Sequence, residues 1–346
     1  MSSGRAQAWR DRGSYFSWAP AEGSAPPVDI FHVEGGDPGN PTIVLVHGFP
    51  TCSVDWFDLG ILLSDRFHVC ALDFPGYGFS SKPTGWGYSL GRDAELLDHY
   101  LADVLNKQSA IVIAHDRGTS VSLLHTINAA AGHTKTGVDH LVLTNGNIYL
   151  PLSNLTDFQR LALDPESWPA VKEFMTPAML AVGMGTLTYS PPRGAGDPEI
   201  DALEATFAHN DGVSVIHETI QYLVERAENE TGWLEALGAL DTPTSVIWGM
   251  NDPVSPPRVA LHAWDDFFMF KPGRNRIYLV PDASHYLQND RPDALVSALS
   301  HALDPDSEAN PGPIAPAAGA PVLIDASRER MPTGPEVIKG ALTSGL

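Results

Sequence analysis

Ser109-Ala110-Ile111-Val112-Ile113-Ala114-His115-Asp116-Arg117-Gly118-Thr119 decides the fold of this chain. Ala110 to Ala114 are apolar without interruption, and Ile111, Val112 and Ile113 are β-branched. A run without polar alternation reads as a strand buried on both faces, the kind found in parallel sheets covered by helices. It stops at His115-Asp116. From Thr119 to Ala131 the residues Val121, Leu124 and Ile127 then fall on one helical face. A buried strand, a sharp polar turn and a helix are the repeating unit of an α/β fold.

The same reading extends outward. Thr42 to His47 is a second buried run and ends at Gly48; Phe67 to Asp73 is a third and ends at Pro75-Gly76. His140 to Thr144, Ser245 to Trp248 and Arg276 to Val280 supply three more. Leu90 to Leu105 carries Leu90, Ala94, Leu97, Leu101 and Leu105 at three-to-four spacing, and Pro292 opens a helix over Asp293 to Leu303. These segments predict a mostly parallel central sheet flanked by helices. The alternation stops between Ile148 and Leu240, where helical fragments surround the Pro/Gly-rich piece Ser190 to Pro198. The expected organisation is a core over 1–147 and 241–304, with a helical cap over 148–240 inserted before the penultimate strand. The tail, 305–346, is rich in Pro, Ala and Gly and reads as disordered.

Composition excludes several classes of function. Twenty-one Lys and Arg against 42 Asp and Glu leave a net charge of −21 over 346 residues, which disfavours nucleic acid and anionic membrane surfaces. Two cysteines, Cys52 and Cys70, make neither a disulfide framework nor a cysteine zinc site. Met1 to Trp18 has no apolar signal region, and no apolar stretch reaches the ~18 residues of a membrane span. A cytoplasmic protein with reduced thiols is the expectation. No His/Glu spacing suggests a metal. Gly183-Met184-Gly185 is no dinucleotide site, because no strand precedes it. No cofactor is expected.

Ligands of open parallel sheets bind beyond the carboxyl ends of the strands. Five polar residues fall there: His47, Asp73, Asp116, Asp252 and His285. Ala114-His115-Asp116-Arg117-Gly118 occupies the strand-to-helix position of a nucleophile elbow, Gly-x-Ser-x-Gly, with an aspartate at its centre. Ser120 and Ser122 lie deeper in the helix and make poor nucleophiles. An aspartate attacking an acyl carbon would form a labile anhydride. A carboxylate is better used to displace an epoxide oxygen or a halide from an sp3 carbon, giving an alkyl ester. A histidine then activates water against that ester. His285 is the expected base and Asp252 its orienting acid. The N–H groups of Arg117 and Phe49 are the expected oxyanion donors. The carboxyl group of Asp116 is expected to aim into a cavity, in line with the imidazole.

Nucleophile, acid and histidine in this chain order match the α/β-hydrolase arrangement. Over Phe31 to Leu303 the chain resembles the aspartate-nucleophile branch of that superfamily, which holds epoxide hydrolases and haloalkane dehalogenases. The resemblance rests on His47-Gly48-Phe49-Pro50-Thr51, Gly76-Tyr77-Gly78-Phe79-Ser80, His115-Asp116-Arg117-Gly118, Gly249 to Asp252, and His285. Local wording is closer still to the mesoderm-specific-transcript-like hydrolases, through His47 to Trp56, Ser89, Asn210-Asp211-Gly212, Gln221-Tyr222 and Arg226. The resemblance implies that Tyr222 matches a cap tyrosine that protonates an epoxide oxygen, with Tyr149 and Tyr189 as candidates for a second. It also implies that the halide-holding positions of haloalkane dehalogenases are taken here by Arg117 and Phe49. Fluoroacetate dehalogenases carry Arg after the nucleophile and a second Arg four residues on, where Ser120 stands.

Plainer roles stand beside these. Asp116 could cap a helix, Asp252 could organise an Asx turn, and His285 could be a surface histidine. His47 is expected to brace the oxyanion loop, Asp73 to organise a loop, and His115 to pack. Arg117 either contacts substrate or pairs with a cap carboxylate. Trp168 and Trp233 are expected in the cap's core. Epoxide hydrolysis ranks first, and carbon–halogen hydrolysis by the same residues second. The rivals are a ligand-binding homologue without turnover and an esterase in which another residue attacks. The expected partner is a small, neutral, apolar molecule, with no nucleic acid and no membrane, bound by a monomer or homodimer.

Overall fold

A computed structural model describes residues 4–21, 25–304 and 322–325. Two strands, β1 (Gly13–Trp18) and β2 (Val28–Gly35), open the sheet. The six apolar runs follow as β3 (Thr42–Val46), β4 (His68–Leu72), β5 (Ser109–His115), β6 (Gly137–Thr144), β7 (Thr244–Gly249) and β8 (Arg276–Val280). A ninth strand, β9 (Val322–Asp325), closes it. Their order is β1-β2-β4-β3-β5-β6-β7-β8-β9. Every pairing from β4 to β8 is parallel, and β1, β2 and β9 are antiparallel to their neighbours.

The parallel centre is dry because its residues carry nothing that needs water. Ile43 to Val46, Val112 to Ala114 and Leu141 to Leu143 are all fully buried. Each large aliphatic side chain so placed contributes about 1.5–3 kcal/mol relative to exposure. The sequence did not show β1 and β2. In β1 only Trp18 is buried, as suits a sheet edge. The tail expectation needs one correction: Val322–Asp325 is not disordered but pairs with β8 from Leu279↔Val322 to Arg276↔Asp325. The rest of that expectation lies outside the described residues. With β9 in place, the helical insertion precedes the third strand from the end.

Among the described residues, four α-helices precede the insertion: α1 (Gly4–Arg10), α2 (Phe57–Leu63), α3 (Leu90–His99) and α4 (Arg117–Ala130). The helix predicted to Leu105 leaves α-geometry after His99 and runs through a π-turn over Tyr100–Val104. Between β6 and β7 lie α5 (Asp157–Leu163), α6 (Trp168–Phe174), α7 (Pro177–Thr188), α8 (Pro198–Ala208), α9 (Ile216–Thr219) and α10 (Tyr222–Gly238). Helix α7 packs on α8, and α10 lies against α4. Trp168 is buried there, and Trp233 is half-buried beneath the Arg226 guanidinium. Helices α11 (Pro257–Ala263), α12 (Leu287–Asp290) and α13 (Pro292–Leu303) complete the flanks. Among the described residues no helix is long and apolar enough to cross a membrane.

Candidate active site

Strand β5 delivers Asp116 to a turn with φ 48° and ψ −119°. A non-glycine residue held there costs on the order of 1–3 kcal/mol, and such strain persists only where the surroundings impose it. They do so here by close approach. A Cβ at Gly118 would stand 2.5 Å from the Val46 carbonyl oxygen, and one at Gly48 would stand 2.5 Å from Cβ of Asp116. The helix-cap role is absent: the Asp116 side chain accepts no capping bond from α4. Instead its Oδ2 lies 3.6 Å from Nε2 of His285, and its buried Oδ1 has no hydrogen-bond partner.

His285 follows β8 and is held from behind. Its Nδ1 lies 2.8 Å from Oδ2 of Asp252. Asp252 is itself fixed: Oδ1 accepts from the N–H groups of Val254 and Ser255, and Oδ2 also accepts from the Asn145 amide at 2.9 Å. Asp252 therefore organises its turn and orients the histidine at once. With Nδ1–H committed to Asp252, Nε2 faces Asp116. Burial works against charge on the ring, but the carboxylates of Asp252 and Asp116 outweigh it, and the pKa of His285 is raised.

Of the two expected amide donors, Arg117 follows Asp116 directly in the chain, and Phe49 follows Gly48, which packs on Asp116. Arg117 is the first residue of α4, so its N–H has no intrahelical acceptor. The Phe49 N–H makes no hydrogen bond among the described residues. His47 holds this loop: its Nδ1–H donates to the Gly48 carbonyl at 2.8 Å, and its Nε2 accepts from the Phe74 N–H at 3.1 Å. Burial drives its pKa down to about 3, so it stays neutral and keeps both bonds. Asp73 accepts from the N–H groups of Ser53 and Phe79, both at 2.7 Å. His115 Nε2 bonds the His285 carbonyl at 2.9 Å.

The side chain of Arg117 does not pair with a carboxylate of the insertion. Its guanidinium forms a buried ion pair with Asp93 of α3 and lies over the rings of Phe74, Tyr77 and Tyr222 at 5.5, 5.1 and 5.5 Å. Asp93→Asn is expected to cost about 3–5 kcal/mol, because it strands a buried cation. Denaturant unfolding measures this, and a loss under 1 kcal/mol would show that the aromatic rings alone hold the charge.

Of the three tyrosines, one feels the charge of Asp116. Tyr222 is buried at the start of α10, 5.8 Å from the Phe49 ring, and its hydroxyl has no hydrogen bond of good geometry. Burial and then the charge of Asp116 raise its pKa well above the usual phenol value, while the nearby Asn147 amide lowers it. Tyr149 instead faces His262 of α11, ring to ring at 4.1 Å. Tyr189 stacks on Tyr286 at 4.7 Å, with Arg193 over its ring. Each packs on an aromatic neighbour that lies far off in the sequence.

A cavity of about 320 Å³ lies between the insertion and the core. Met175, Met179, Met184 and Leu187 line it from one side, and Phe49, His285 and Tyr286 from the other. Asp116 does not line it. The expected cavity is present, but it stops at His285 and Phe49, and the carboxyl group sits one layer deeper with 1% exposure.

Three residues at this site escaped the sequence reading: Asn145, Asn147 and Tyr286. Asn145, at φ 41°, ties Gly249 N–H to Asp252 through its amide. It stands directly after β6, so the criterion that selected five polar strand-end residues also fits it. Tyr286 packs against both His115 and His285, at 4.9 and 5.2 Å.

Residues 41–292 match the family model for the alpha/beta hydrolase fold. The chain is 30% identical over 298 residues to the human mesoderm-specific transcript homolog protein, covering 84% of this chain and 85% of that one. It is 28% identical over 275 residues to haloalkane dehalogenase 2 of Mycobacterium bovis, covering 78% and 90%. The crystal structure of haloalkane dehalogenase DbeA from Bradyrhizobium elkani superposes with a TM-score of 0.66 at 21% identity, covering 83% of this chain and 96% of that one. With its parallel sheet, its strand-to-helix elbow and a family match across most of its length, the chain belongs to the α/β-hydrolase superfamily.

Proposed function

We propose that this hydrolase works through a covalent alkyl ester on Asp116, with epoxide hydrolysis to a diol as its reaction. One observation carries the reading. Asp116 is held on a strained turn with no capping bond, 3.6 Å from a histidine whose far nitrogen is fixed by Asp252. A structural aspartate needs none of these.

In the first step an Asp116 oxygen attacks an epoxide carbon, the C–O bond breaks, and the departing alkoxide takes the proton of the Tyr222 hydroxyl. A phenol kept protonated by burial suits that donation. The neutral ester then removes the Asp116 charge that, with Asp252, holds the His285 pKa up, so the ring gives its proton, through solvent, to the Tyr222 phenolate and is freed to act as a base. Nε2 takes a proton from water, the hydroxide attacks Cγ of the ester, and the N–H groups of Phe49 and Arg117 hold the oxyanion. Each such donor is worth roughly 3–4 kcal/mol. On collapse the leaving alkoxide takes the proton from His285 and departs as the diol, and the Asp116 carboxyl returns its proton to the ring. The helical insertion acts as the cap, and its methionine-lined cavity suits a neutral, apolar substrate.

Carbon–halogen hydrolysis by the same residues is the second reading, favoured by the similarity to a haloalkane dehalogenase. The two differ in the leaving group, since an alkoxide needs a proton and a halide does not. Tyr222→Phe is expected to lower epoxide turnover on the order of 100-fold. Turnover of bromoalkanes should stay within a few-fold. A panel of aliphatic and aryl epoxides against bromoalkanes, run on both proteins, measures this. Undiminished epoxide turnover in the variant would remove Tyr222 from the mechanism.

A further inference from the structure

Residues 188–193, where α7 ends and the chain leaves it, are fastened to residues 284–290, the stretch after β8 that carries His285. The Tyr286 N–H donates to the Thr188 carbonyl at 3.4 Å, and the rings of Tyr189 and Tyr286 stack. Nη2 of Arg193 donates to the Asn289 carbonyl at 2.9 Å. Asp290, the last residue of α12, joins the same two segments through a single atom. Its Oδ2 accepts from the N–H of Ser284 at 2.8 Å and from the N–H of Ser190 at 3.0 Å. Ser284 directly precedes His285, whereas Ser190 belongs to the insertion, 100 residues from Asp290. The other oxygen, Oδ1, is buried without a hydrogen bond, and Nη2 of Arg193 lies 3.6 Å from it.

We propose that Asp290 is a positioning residue for His285: it sets the loop that carries the base and ties that setting to the insertion. The inference deepens the reading of the reaction above and rests on it for the role of His285. Asp252 holds the ring at Nδ1 but does not fix the backbone that leads into it; the Ser284 N–H is anchored by Asp290. Taking a carboxylate fully out of water is costly unless it is paired and hydrogen-bonded. Here the bonds come from the two N–H groups. Burial lifts the pKa of Asp290 to about 6, while these N–H groups and Arg193 pull it down, so the carboxyl group is ionised at neutral pH. Hydrogen bonds to an ionised oxygen are about twice as strong as neutral ones. Because both converge on one atom, a shift of the insertion at Ser190 moves the oxygen to which Ser284 is bonded. Leu187 and Thr188, in the last turn of α7, line the cavity together with His285 and Tyr286. A ligand that presses on α7 therefore bears on the base through Asp290.

Asp290→Ala and Asp290→Asn, made in the full chain, test this. One readout needs no substrate: the low-field proton NMR signal of the His285 Nδ1–H, which reports its bond to Asp252. Alanine removes the shared acceptor, so this signal should shift or broaden. The N–H groups of Ser190 and Ser284 should both exchange with heavy water at least about 10-fold faster. In a single turnover, hydrolysis of the ester should slow about 10- to 100-fold, since a misplacement of about 1 Å costs on the order of 10²-fold. Formation of the ester should stay within about two-fold, because attack by Asp116 does not use the ring. Asparagine keeps an oxygen acceptor, so it should fall between alanine and the unaltered protein on every readout. An unmoved Nδ1–H signal in folded Asp290→Ala overturns the proposal, as does an equal loss in the two half-reactions, which marks a general loss of structure. If Asp290→Ala does not fold, an Nδ1–H signal in Asp290→Asn identical to that of the unaltered protein overturns it. Failure of the unaltered protein to form an ester on Asp116 overturns the covalent reading alone, and the NMR and exchange measurements then still decide the role of Asp290.

Discussion

Asp116→Asn is expected to lower turnover by on the order of 10⁴-fold or more while leaving the fold intact. The amide has nearly the shape of the carboxyl group and occupies a turn that Gly48 and Gly118 already impose, so little packing changes. Its nucleophilicity does change, and loss of a covalent nucleophile costs factors of that order in enzymes that depend on one. Heavy-oxygen water reports the same chemistry directly. In a single turnover, water attacks Cγ of the ester, so the label should enter the Asp116 carboxyl group. Mass analysis of the peptide that contains Asp116 checks this. Label confined to the product would contradict the ester. Retained activity of Asp116→Asn on activated esters would support attack by another residue. An unreactive Asp116 in a protein that binds ligand tightly would support a binding role without turnover.

His285→Gln is expected to separate the two half-reactions. Asp116 does not need the ring to attack an sp3 carbon, so the ester should form. Its hydrolysis needs a base at Nε2, and losing a positioned base costs about 10²–10⁴-fold. Ester should therefore accumulate, visible as the whole substrate's added mass on the Asp116 peptide and as consumption of one epoxide equivalent with no diol released. The glutamine keeps a side chain near Asp252, which limits the structural change at the Asp252 oxygen that His285 bonds. Absence of both adduct and epoxide consumption, in a folded variant, would show that His285 acts before the ester forms.

Particular elements show how far the residues alone reached. The six parallel strands were legible because each is a short apolar run ended by turn residues, a property of neighbours in sequence. The turn at Asp116 was legible for the same reason, since Ala114 and Gly118 are local marks of a tight strand-to-helix bend. Strand β9 was not, because Val322–Asp325 gains its place from the free edge of β8 and not from its own pattern. The end of α3 at His99 was not legible either, since the leucine spacing continues unbroken to Leu105.

The site divides along the same line. Sequence alone determined that an aspartate stands at the elbow, that Asp252 and His285 follow in order after later strands, and that His47 lies in the loop before Phe49. Each of these follows from a residue's position relative to its own strand. Only the tertiary structure decided which side chains meet. It paired Arg117 with Asp93 on a core helix, set Tyr222 against Phe49 and Arg117 while Tyr149 and Tyr189 found other aromatic partners, and gave Asn145 its hold on Asp252. It also set Asp116 one layer beneath the cavity. Backbone preference acts over a few residues, whereas contact between distant side chains depends on how sheet and helices pack, and that is fixed only once the whole chain has folded.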